Sequence, residues 1–335
     1  MTESDCPMIS VVIPAMNATA TLLACLHALR HQATPAPRFE VIVVDDGSTD
    51  DTAAVAEAGG AHVERIAHAG RAAARNHGAQ TARASLLLFT DADCIPSSDW
   101  VSRLSAPFAD PSIAGTRGIY RTRQRALVAR FVQLEYEDKY RLLRPMQDID
   151  FVDTYSAGYR REVFLQSGGF DPSLPFNEDQ EFSFRLANRG HRLVFVPDAI
   201  VYHYHSDTVY AYITKKYSIG FWKAAVILTH PNKLARDTHT PFSQRAQMLL
   251  FYLALALSVP AAVGAISFWA PVGAALALAA TTIPFAARAA RKDAFVALAA
   301  PVLLWGRAAT LGTGFALGVA RFLPKWLLSK RRQQR

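Results

Sequence analysis

The chain has 335 residues, of which 51% are hydrophobic and 19% charged, with a formal net charge of +8. This length allows two domains. The three cysteines, Cys6, Cys25 and Cys94, are widely spaced and support neither a disulfide framework nor a zinc site. The basic residues accompany no nucleic-acid-binding motif, so we expect membrane lipids rather than nucleic acid as their partners.

Four short apolar runs in the first ninety residues predict buried strands that alternate with helical segments. The runs are Ile9–Ile13, Val41–Val44, His62–Ile66 and Leu86–Phe89. This alternation predicts a parallel sheet with right-handed crossovers. We expect the functional site at the carboxyl ends of its strands. The residues at those ends are Pro14, Asp45, Asp46 and Asp91.

The fourth run ends in two carboxylates, Asp91 and Asp93, one residue apart. Side chains two positions apart on a strand point the same way, so both would project together from the strand's carboxyl end. Paired carboxylates suit a hard divalent cation, which usually binds through one or two carboxylates plus substrate phosphates. The alternative is that these acids cap the N-terminus of a helix.

The usual glycine-rich nucleotide-binding motifs are absent, since the chain contains neither Gly-x-Gly-x-x-Gly after the first strand nor a Walker A sequence. A nucleotide would therefore be held by carboxylates and metal. Asp45 and Asp46 can accept hydrogen bonds from a base N–H or a ribose hydroxyl. The alternative is ordinary loop and helix-cap chemistry within residues 45–50.

Four segments occur in the order and spacing seen in family 2 glycosyltransferases. They are Val11–Pro14, Val43–Ser48, Gly70–Asn76 and Leu88–Asp93. The chain resembles this family, whose members transfer a sugar from a nucleoside-diphosphate donor with inversion. The resemblance implies an α/β GT-A fold, with a Rossmann-like, mostly parallel sheet flanked by helices, followed here by an α-helical membrane region.

The resemblance also implies a donor site and a metal site. The implied donor contacts are Pro14, Asn17, Asp45, Asp46, Arg75, Asn76 and Asp91. The implied cofactor is a divalent cation, Mn²⁺ or Mg²⁺, with Asp93 as a direct ligand and Asp91 as its support or a sugar-side contact. His203 would contact the metal or the diphosphate. Isolated histidines are usually structural, which is the alternative for His203.

The second half of the predicted catalytic domain matches the family on the acceptor side. The matching acceptor-side residues are Ala157, Gly158, Gly168 and Gly169. Gly168 would equally serve to end a helix. The family's Glu-Asp pair falls on Glu178 and Asp179, with Asp179 as the catalytic base that accepts the proton of the acceptor hydroxyl. Without the resemblance, these would be ordinary first-turn acids favoured by the helix dipole.

Two stretches lie beside or after these motifs. Arg121–Arg144 has apolar residues at helical spacing, so it is either a solvated helix that packs one apolar face or a basic rim that meets headgroups or a phosphate-bearing acceptor. Residues 208–245 predict an amphipathic interface helix and linker after a catalytic domain at 1–207. The Gln-x-x-Arg-Trp motif of processive synthases is absent there, so we expect a non-processive enzyme.

Residues 246–335 predict a membrane region, because charges become rare. The segments 246–269 and 271–287 are long enough, or nearly so, to span a bilayer. The segment 294–320 carries Arg307, which is costly at mid-membrane, so we expect it to be broken or re-entrant and followed by a basic tail. The alternative is a third span in which Arg307 faces other helices.

The flanking charges predict how the protein is oriented. The basic turn Arg288–Lys292 favours the cytoplasmic side of the membrane. Met1–Pro7 has neither a basic nor an apolar segment, so we expect no cleavable signal peptide. The sequence thus predicts a multi-pass protein of the inner membrane with its catalytic domain in the cytoplasm.

Three functions are compatible with the sequence. The favoured one is a membrane-anchored, metal-dependent inverting glycosyltransferase that acts on a hydroxyl of a lipid-linked or glycan acceptor. The second is a polyprenyl-phosphate sugar synthase, whose ionised acceptor needs no base. The third, a catalytically inert membrane scaffold, is disfavoured by the joint presence of all the site aspartates.

Overall fold

The computed structural model describes residues 8–33 and 36–333 of the chain. Cys6, the Met1–Pro7 segment and the tail residue Arg335 lie outside the described residues. The chain divides into two compact units. Unit 1 comprises Met1–Arg123 and Tyr140–Tyr204, and unit 2 comprises Gln124–Lys139 and His205–Arg335.

Unit 1 is built on one eight-stranded sheet. Its strands are β1 (Ile9–Ala15), β2 (Phe39–Asp46), β3 (His62–Ile66), β4 (Leu86–Phe89), β5 (Cys94–Pro96), β6 (Ile113–Arg121), β7 (Ala157–Arg160) and β8 (Arg192–His203). Their order across the sheet is β3-β2-β1-β4-β7-β6-β8-β5. All four apolar runs of the first ninety residues form strands, which confirms their prediction.

The strands are all parallel in one half of the sheet and of mixed direction in the other half. Strands β3, β2, β1 and β4 run parallel, as their alternation with helices predicted. Strand β7 lies antiparallel between β4 and β6, and β5 lies antiparallel beside β8, whereas β6 and β8 are parallel. The sheet is therefore mixed, with four parallel and three antiparallel pairs among its named strands. The antiparallel pairs were not predicted, because antiparallel neighbours need no crossover helix and escape the alternation rule.

An aromatic cluster fixes the elements that surround the strand ends. The helices of unit 1 are α1 (Thr19–Arg30), α2 (Thr52–Ala58), α3 (Arg71–Thr81), α4 (Trp100–Ser105), α6 (Arg161–Gln166) and α7 (Glu178–Asn188), and α5 (Leu127–Leu143) is divided between the units. Phe89 of β4 lies 5.3 Å, centroid to centroid, from Phe164 of α6, and Phe164 lies 4.9 Å from Phe182 of α7. All three side chains are buried. This packing sets α7 relative to the strand that precedes Asp91.

Unit 2 consists of helices. They are residues 127–139 of α5 together with α8 (Val209–Thr229), α9 (Phe242–Ala262), α10 (Trp269–Ala290) and α11 (Ala294–Gln333). Among the described residues, α9, α10 and the Ala294–Leu328 part of α11 are long and apolar enough to cross a membrane, by length and composition. Helices α9 and α10 correspond to the predicted spans 246–269 and 271–287, and each begins earlier than predicted.

Helix α11 is continuous, where the sequence predicted a broken or re-entrant segment over 294–320. The expectation rested on the cost of Arg307 in lipid. In the structure Arg307 is buried within unit 2, where its Nη1 lies 2.5 Å from Glu135 Oε1 and its Nη2 donates to Gln247 Oε1 at 2.5 Å. The contacts with Glu135 and Gln247 take the place of hydrogen bonds to water, so Arg307 can be buried in a continuous helix. This arrangement matches the alternative in which Arg307 faces other helices, and a third crossing stays a prediction.

The part of α5 in unit 2 is a helix that packs one apolar face, as the first of the two alternatives for this stretch predicted. Its apolar side chains, including Phe131, pack against α8, α10 and α11. Its charged side chains form ion pairs with α10 and with the turn between α10 and α11. The pairs are Arg130–Asp293, Glu137–Lys292 and Asp138–Arg288. The sequence placed this stretch in the catalytic domain because these partners lie more than a hundred residues away.

Helices α8 and α11 approach each other closely at two glycines. A Cβ on Gly314 would lie 2.3 Å from the carbonyl oxygen of Tyr217, and one on Gly318 would lie 2.2 Å from that of Phe221. Backbones can approach this closely only where the side chain is absent. The glycines of α11 therefore serve helix packing.

Candidate functional site

A cavity of about 320 Å³ lies at the carboxyl ends of the parallel strands of unit 1. Five of the residues predicted from the sequence line it. They are Pro14, Asn17, Asp46, Asp91 and Asp93. The expectation that these side chains converge at one edge of the sheet is therefore met. Arg71, which the sequence analysis did not single out, also lines the cavity.

Asn17 joins the turns after β1 and β2. Its backbone has φ of 49°, the left-handed conformation that asparagine tolerates better than most residues. Its Oδ1 accepts a hydrogen bond from the Thr49 N–H at 2.9 Å, and its own N–H donates to Ser48 Oγ at 2.9 Å. The asparagine thus shapes one wall of the cavity.

Asp45 and Asp46 both use their carboxylates within the loops. Asp45 Oδ1 accepts from the Ser48 N–H at 3.0 Å, which is the loop chemistry named as its alternative role. Asp46 Oδ1 accepts from the Ala69 N–H at 2.7 Å, and its Oδ2 accepts from the Gly70 N–H at 3.0 Å. Asp46 therefore anchors the segment before α3 and faces the cavity as well.

Arg75, predicted as a donor contact, is instead a buried link between two carboxylates. Its side chain is 1% exposed. Its Nη2 donates to Asp91 Oδ1 at 2.6 Å and its Nη1 donates to Glu178 Oε1 at 3.0 Å. The sequence could not show this pairing, because Glu178 lies 103 positions away along the chain. The arginine orients the carboxylate at the cavity and the acid before the predicted base.

Asn76 likewise supports the site from behind. Its Nδ2 donates to the Phe170 carbonyl at 2.8 Å, and its Oδ1 accepts from the Phe170 N–H at 2.9 Å. A Cβ on Gly169 would lie 2.5 Å from that Oδ1, and Gly168 and Gly169 both have positive φ. These glycines form the turn after α6, so the helix-ending role of Gly168 is present, and an acceptor contact stays a prediction.

Ala157 and Gly158 lie inside the sheet on β7. They pair with Phe89 and Leu88 of β4, and both are buried. A Cβ on Gly158 would lie 2.4 Å from Thr116 Oγ1. The structure thus gives Gly158 a packing role, and the backbone approach to an acceptor sugar stays a prediction.

Asp179 lies in the first turn of α7, where its Oδ1 accepts from the Gln180 N–H at 2.7 Å. Burial, and then the negative charges of Glu178 and Asp153, raise the pKa of Asp179 from its ordinary value of 3.8 to about 7. Arg75 opposes this rise. A carboxyl group that titrates near neutrality can accept a proton from a hydroxyl at physiological pH.

Asp153 is a contributor to the site that the sequence analysis missed. It is buried, and its Oδ2 lies 2.7 Å from Nη2 of the buried Arg117. The neighbouring Val152 N–H donates to Ser183 Oγ at 3.0 Å, and Ser183 Oγ donates to the Asp179 carbonyl at 2.7 Å. Asp153 is thereby held beside the first turns of α7. It belongs to none of the segments that carry the family resemblance, so the sequence offered no signal for it.

The predicted metal ligands are only partly brought together. Asp93 Oδ2 lies 3.5 Å from His203 Nε2, because Cys94 of β5 pairs with His203 of β8. Asp91 is bound to Arg75 instead. Among the described residues, no group of three His, Cys, Asp or Glu side chains could hold a metal ion by itself. One carboxylate and one imidazole nitrogen nevertheless fit a divalent cation whose remaining ligands are diphosphate oxygens.

These features belong together on a mixed α/β sheet: a cavity at the strand ends, an Asp-x-Asp pair beside a histidine, and a neighbouring acid of raised pKa. They define a glycosyltransferase of the GT-A type. Residues 10–168 match the sequence model of the family described as Glycosyl transferase family 2. Residues 10–168 therefore belong to this family.

Relatives of known sequence are also glycosyltransferases. The chain is 30% identical over 243 residues to the pre-mycofactocin glycosyltransferase of Mycobacterium tuberculosis, an alignment that covers 68% of this chain and 49% of that protein. It is 28% identical over 218 residues to glycosyltransferase AglE of Haloferax volcanii, covering 60% of this chain and 68% of that one. The chain thus spans about half the length of the first of these relatives.

Solved structures share the fold. A mannosyltransferase of Pyrobaculum calidifontis, determined with GDP-Man and Mn²⁺, superposes with a TM-score of 0.61 at 19% identity, over 93% of this chain and 86% of that one. Glucosyl-3-phosphoglycerate synthase of Mycobacterium tuberculosis gives a TM-score of 0.50 at 22% identity, over 66% and 79% of the two chains. At such identities the likeness concerns the fold.

Proposed function

We propose that the protein is a membrane-anchored, inverting and non-processive glycosyltransferase that moves a sugar from a nucleoside-diphosphate donor to an acceptor hydroxyl. The observation that carries this proposal is the position of Asp179. An acid whose pKa is about 7 lies next to Glu178, and Glu178 is joined through Arg75 to Asp91 at the donor cavity. Glu178, the residue next to the proposed base, is thus linked to the donor cavity through two ion pairs of Arg75.

In the proposed reaction, Asp179 accepts the proton of the acceptor hydroxyl as the hydroxyl oxygen bonds to the anomeric carbon. The bond from that carbon to the diphosphate breaks on the opposite face, and the nucleoside diphosphate leaves with the bonding electrons. Glu178 stays paired with Arg75, so the two neighbouring acids have different roles. The Arg75 bridge keeps Asp91 oriented toward the cavity.

A divalent cation, Mn²⁺ or Mg²⁺, would be held by Asp93 and His203 together with diphosphate oxygens. When bound, it supplies positive charge that neutralises the departing diphosphate. The Mn²⁺ in the mannosyltransferase of Pyrobaculum calidifontis supports this part of the proposal.

We infer that the acceptor is a hydroxyl of a lipid-linked or glycan molecule at the inner membrane. A polyprenyl phosphate is the alternative acceptor. It is already ionised and needs no base, whereas the raised pKa of Asp179 is useful only where a proton must be accepted. The hydroxyl acceptor is therefore favoured. The basic turn between α10 and α11 supports a cytoplasmic orientation of the catalytic domain.

A donor screen tests the proposal. The full chain in detergent is heated with each common nucleotide-sugar, with and without Mn²⁺ or Mg²⁺, and thermal unfolding is recorded. We expect one donor to raise the melting temperature in a metal-dependent way, because a ligand that binds the folded state stabilises it. Labelled donor is then supplied with membrane glycolipid extract or with polyprenyl phosphate. Absence of any donor-dependent shift would revive the inert-scaffold hypothesis.

A further inference from the structure

The donor cavity has a marked imbalance of charge. Its described lining contains three aspartates, Asp46, Asp91 and Asp93, and a single basic side chain, that of Arg71. Asp91 is paired with the buried Arg75, which leaves two aspartates to one arginine in the lining. A nucleoside diphosphate adds further negative charge. A divalent cation at Asp93 offsets only part of the total. Binding of the diphosphate therefore calls for a positive side chain that reaches the cavity.

Arg75 cannot fill this role, although the sequence predicted it as a donor contact. Its side chain is buried, and each of its two terminal nitrogens already donates to a carboxylate. Moving the guanidinium toward a ligand would leave those two carboxylates without their counter-charge, which is strongly unfavourable in a buried position.

Arg71 is placed differently. It is the first residue of α3 and its side chain is exposed at the cavity. Its Nη2 donates to the Pro175 carbonyl at 3.0 Å, and its guanidinium carbon lies 5.7 Å from the centre of the Phe176 ring. These two contacts hold the group in place while Pro175 takes only one of its five N–H donors.

We propose that Arg71 binds the diphosphate of the nucleotide-sugar donor, an inference that rests on the proposed glycosyltransferase function. Guanidinium groups bind phosphate oxygens through paired, charge-assisted hydrogen bonds. Pro175 and Phe176 also lie immediately before Asn177, the left-handed residue that precedes α7. Arg71 thereby connects the bound donor to the segment that leads into the catalytic base.

Binding measurements on the full chain in detergent test this inference. The ligand is the nucleoside diphosphate whose sugar derivative stabilises the protein in the donor screen, and the matching nucleoside without phosphate is the reference. Both are titrated calorimetrically in the presence of Mn²⁺ into wild type, Arg71→Ala, Arg71→Lys and Arg103→Ala. Arg103 is the matched control, since it is an exposed arginine on α4 paired with Asp99.

Loss of the Arg71 contact should weaken binding of the nucleoside diphosphate by about 10- to 100-fold, the effect expected for a hydrogen bond to a charged group. Binding of the nucleoside should be unchanged, Arg71→Lys should fall between wild type and Arg71→Ala, and Arg103→Ala should behave as wild type. Thermal unfolding should be unaffected, because the side chain is exposed.

Two results would overturn the role of Arg71, and only the second would also reject the proposed glycosyltransferase function. Equal affinity of Arg71→Ala and wild type for the nucleoside diphosphate would reject the role of Arg71 and leave the proposed function standing. Failure of the wild type to bind any nucleoside diphosphate would reject the proposed function and this inference together.

Discussion

The rate of sugar transfer should depend on pH in a way that an ordinary aspartate would not produce. Asp179 must be ionised to accept a proton, and its pKa is raised to about 7. With that pKa, about 10% of the carboxyl is ionised at pH 6 and about 90% at pH 8. We therefore expect kcat/KM to rise about tenfold between these values and to level off above them. An acid of pKa 3.8 would give a flat profile over the same range.

The variant Asp153→Asn tests the cause of this dependence. Asp153 is the second of two negative charges that raise the pKa of Asp179, after burial and Glu178, and its own partner Arg117 remains in the variant. The profile should shift to lower pH, so that activity at pH 6, relative to the plateau, increases about two- to fivefold. Asp110→Asn removes an exposed aspartate that pairs with Arg192 and is the control.

The assay measures initial rates with labelled donor from pH 5.5 to 8.5, at constant ionic strength and saturating metal. The wild type and the Asp110→Asn control should share one profile. A wild-type profile that is flat between pH 5.5 and 8 would refute the assignment of Asp179 as a base of raised pKa. An Asp153→Asn profile identical to wild type would refute the role given to Asp153.

Three further predictions concern what holds the protein together. Arg75→Met should leave the buried Glu178 and the partly exposed Asp91 without their counter-charge and lower the free energy of unfolding by about 3–5 kcal/mol, measured by denaturant titration. An unchanged midpoint would contradict the bridge through Arg75. Gly314→Ala should force α8 and α11 apart and lower the melting temperature in detergent. The control Gly273→Ala should leave the melting temperature unchanged, because a Cβ at Gly273 meets nothing within 4 Å. Equal effects of the two substitutions would rule out the close packing of α8 and α11. Arg307→Met should destabilise unit 2, because Glu135 loses its arginine partner. Adding Glu135→Gln should recover part of the lost stability, which a double-mutant cycle in thermal unfolding measures. Additive losses would mean that the two side chains do not interact.

Local patterns predicted the parallel half of the sheet and the acids at its edge. Each of the four runs carries its own signal, since an apolar stretch followed by a polar loop is a short-range feature. Asp91 and Asp93 line the same cavity because the strand before them ends at the edge where the β1 strand also ends. The family resemblance then added Asp179 and His203, which no periodicity could identify.

Long-range pairing explains what the sequence could not show. Arg75 and Arg71 lie one helical turn apart in the same motif, and only the fold reveals that one is buried between carboxylates while the other faces the cavity. The sequence predicted a high energetic cost for Arg307 in the membrane, because its partner Glu135 lies 172 positions away along the chain and could not be identified from the sequence. A charged residue in an apolar stretch thus predicts an ion-pair or hydrogen-bond partner, but the identity of that partner follows only from the fold.

Asp179 is the proposed base in the transfer of a sugar from a nucleotide-sugar donor. The most direct test compares wild type and Asp179→Asn in transfer of labelled sugar to the acceptor and in binding of the donor. We predict that the variant loses transfer by at least about a hundredfold, in line with general-base catalysis, while its donor affinity stays within a few-fold of wild type. Normal turnover by Asp179→Asn would show that Asp179 is not the base.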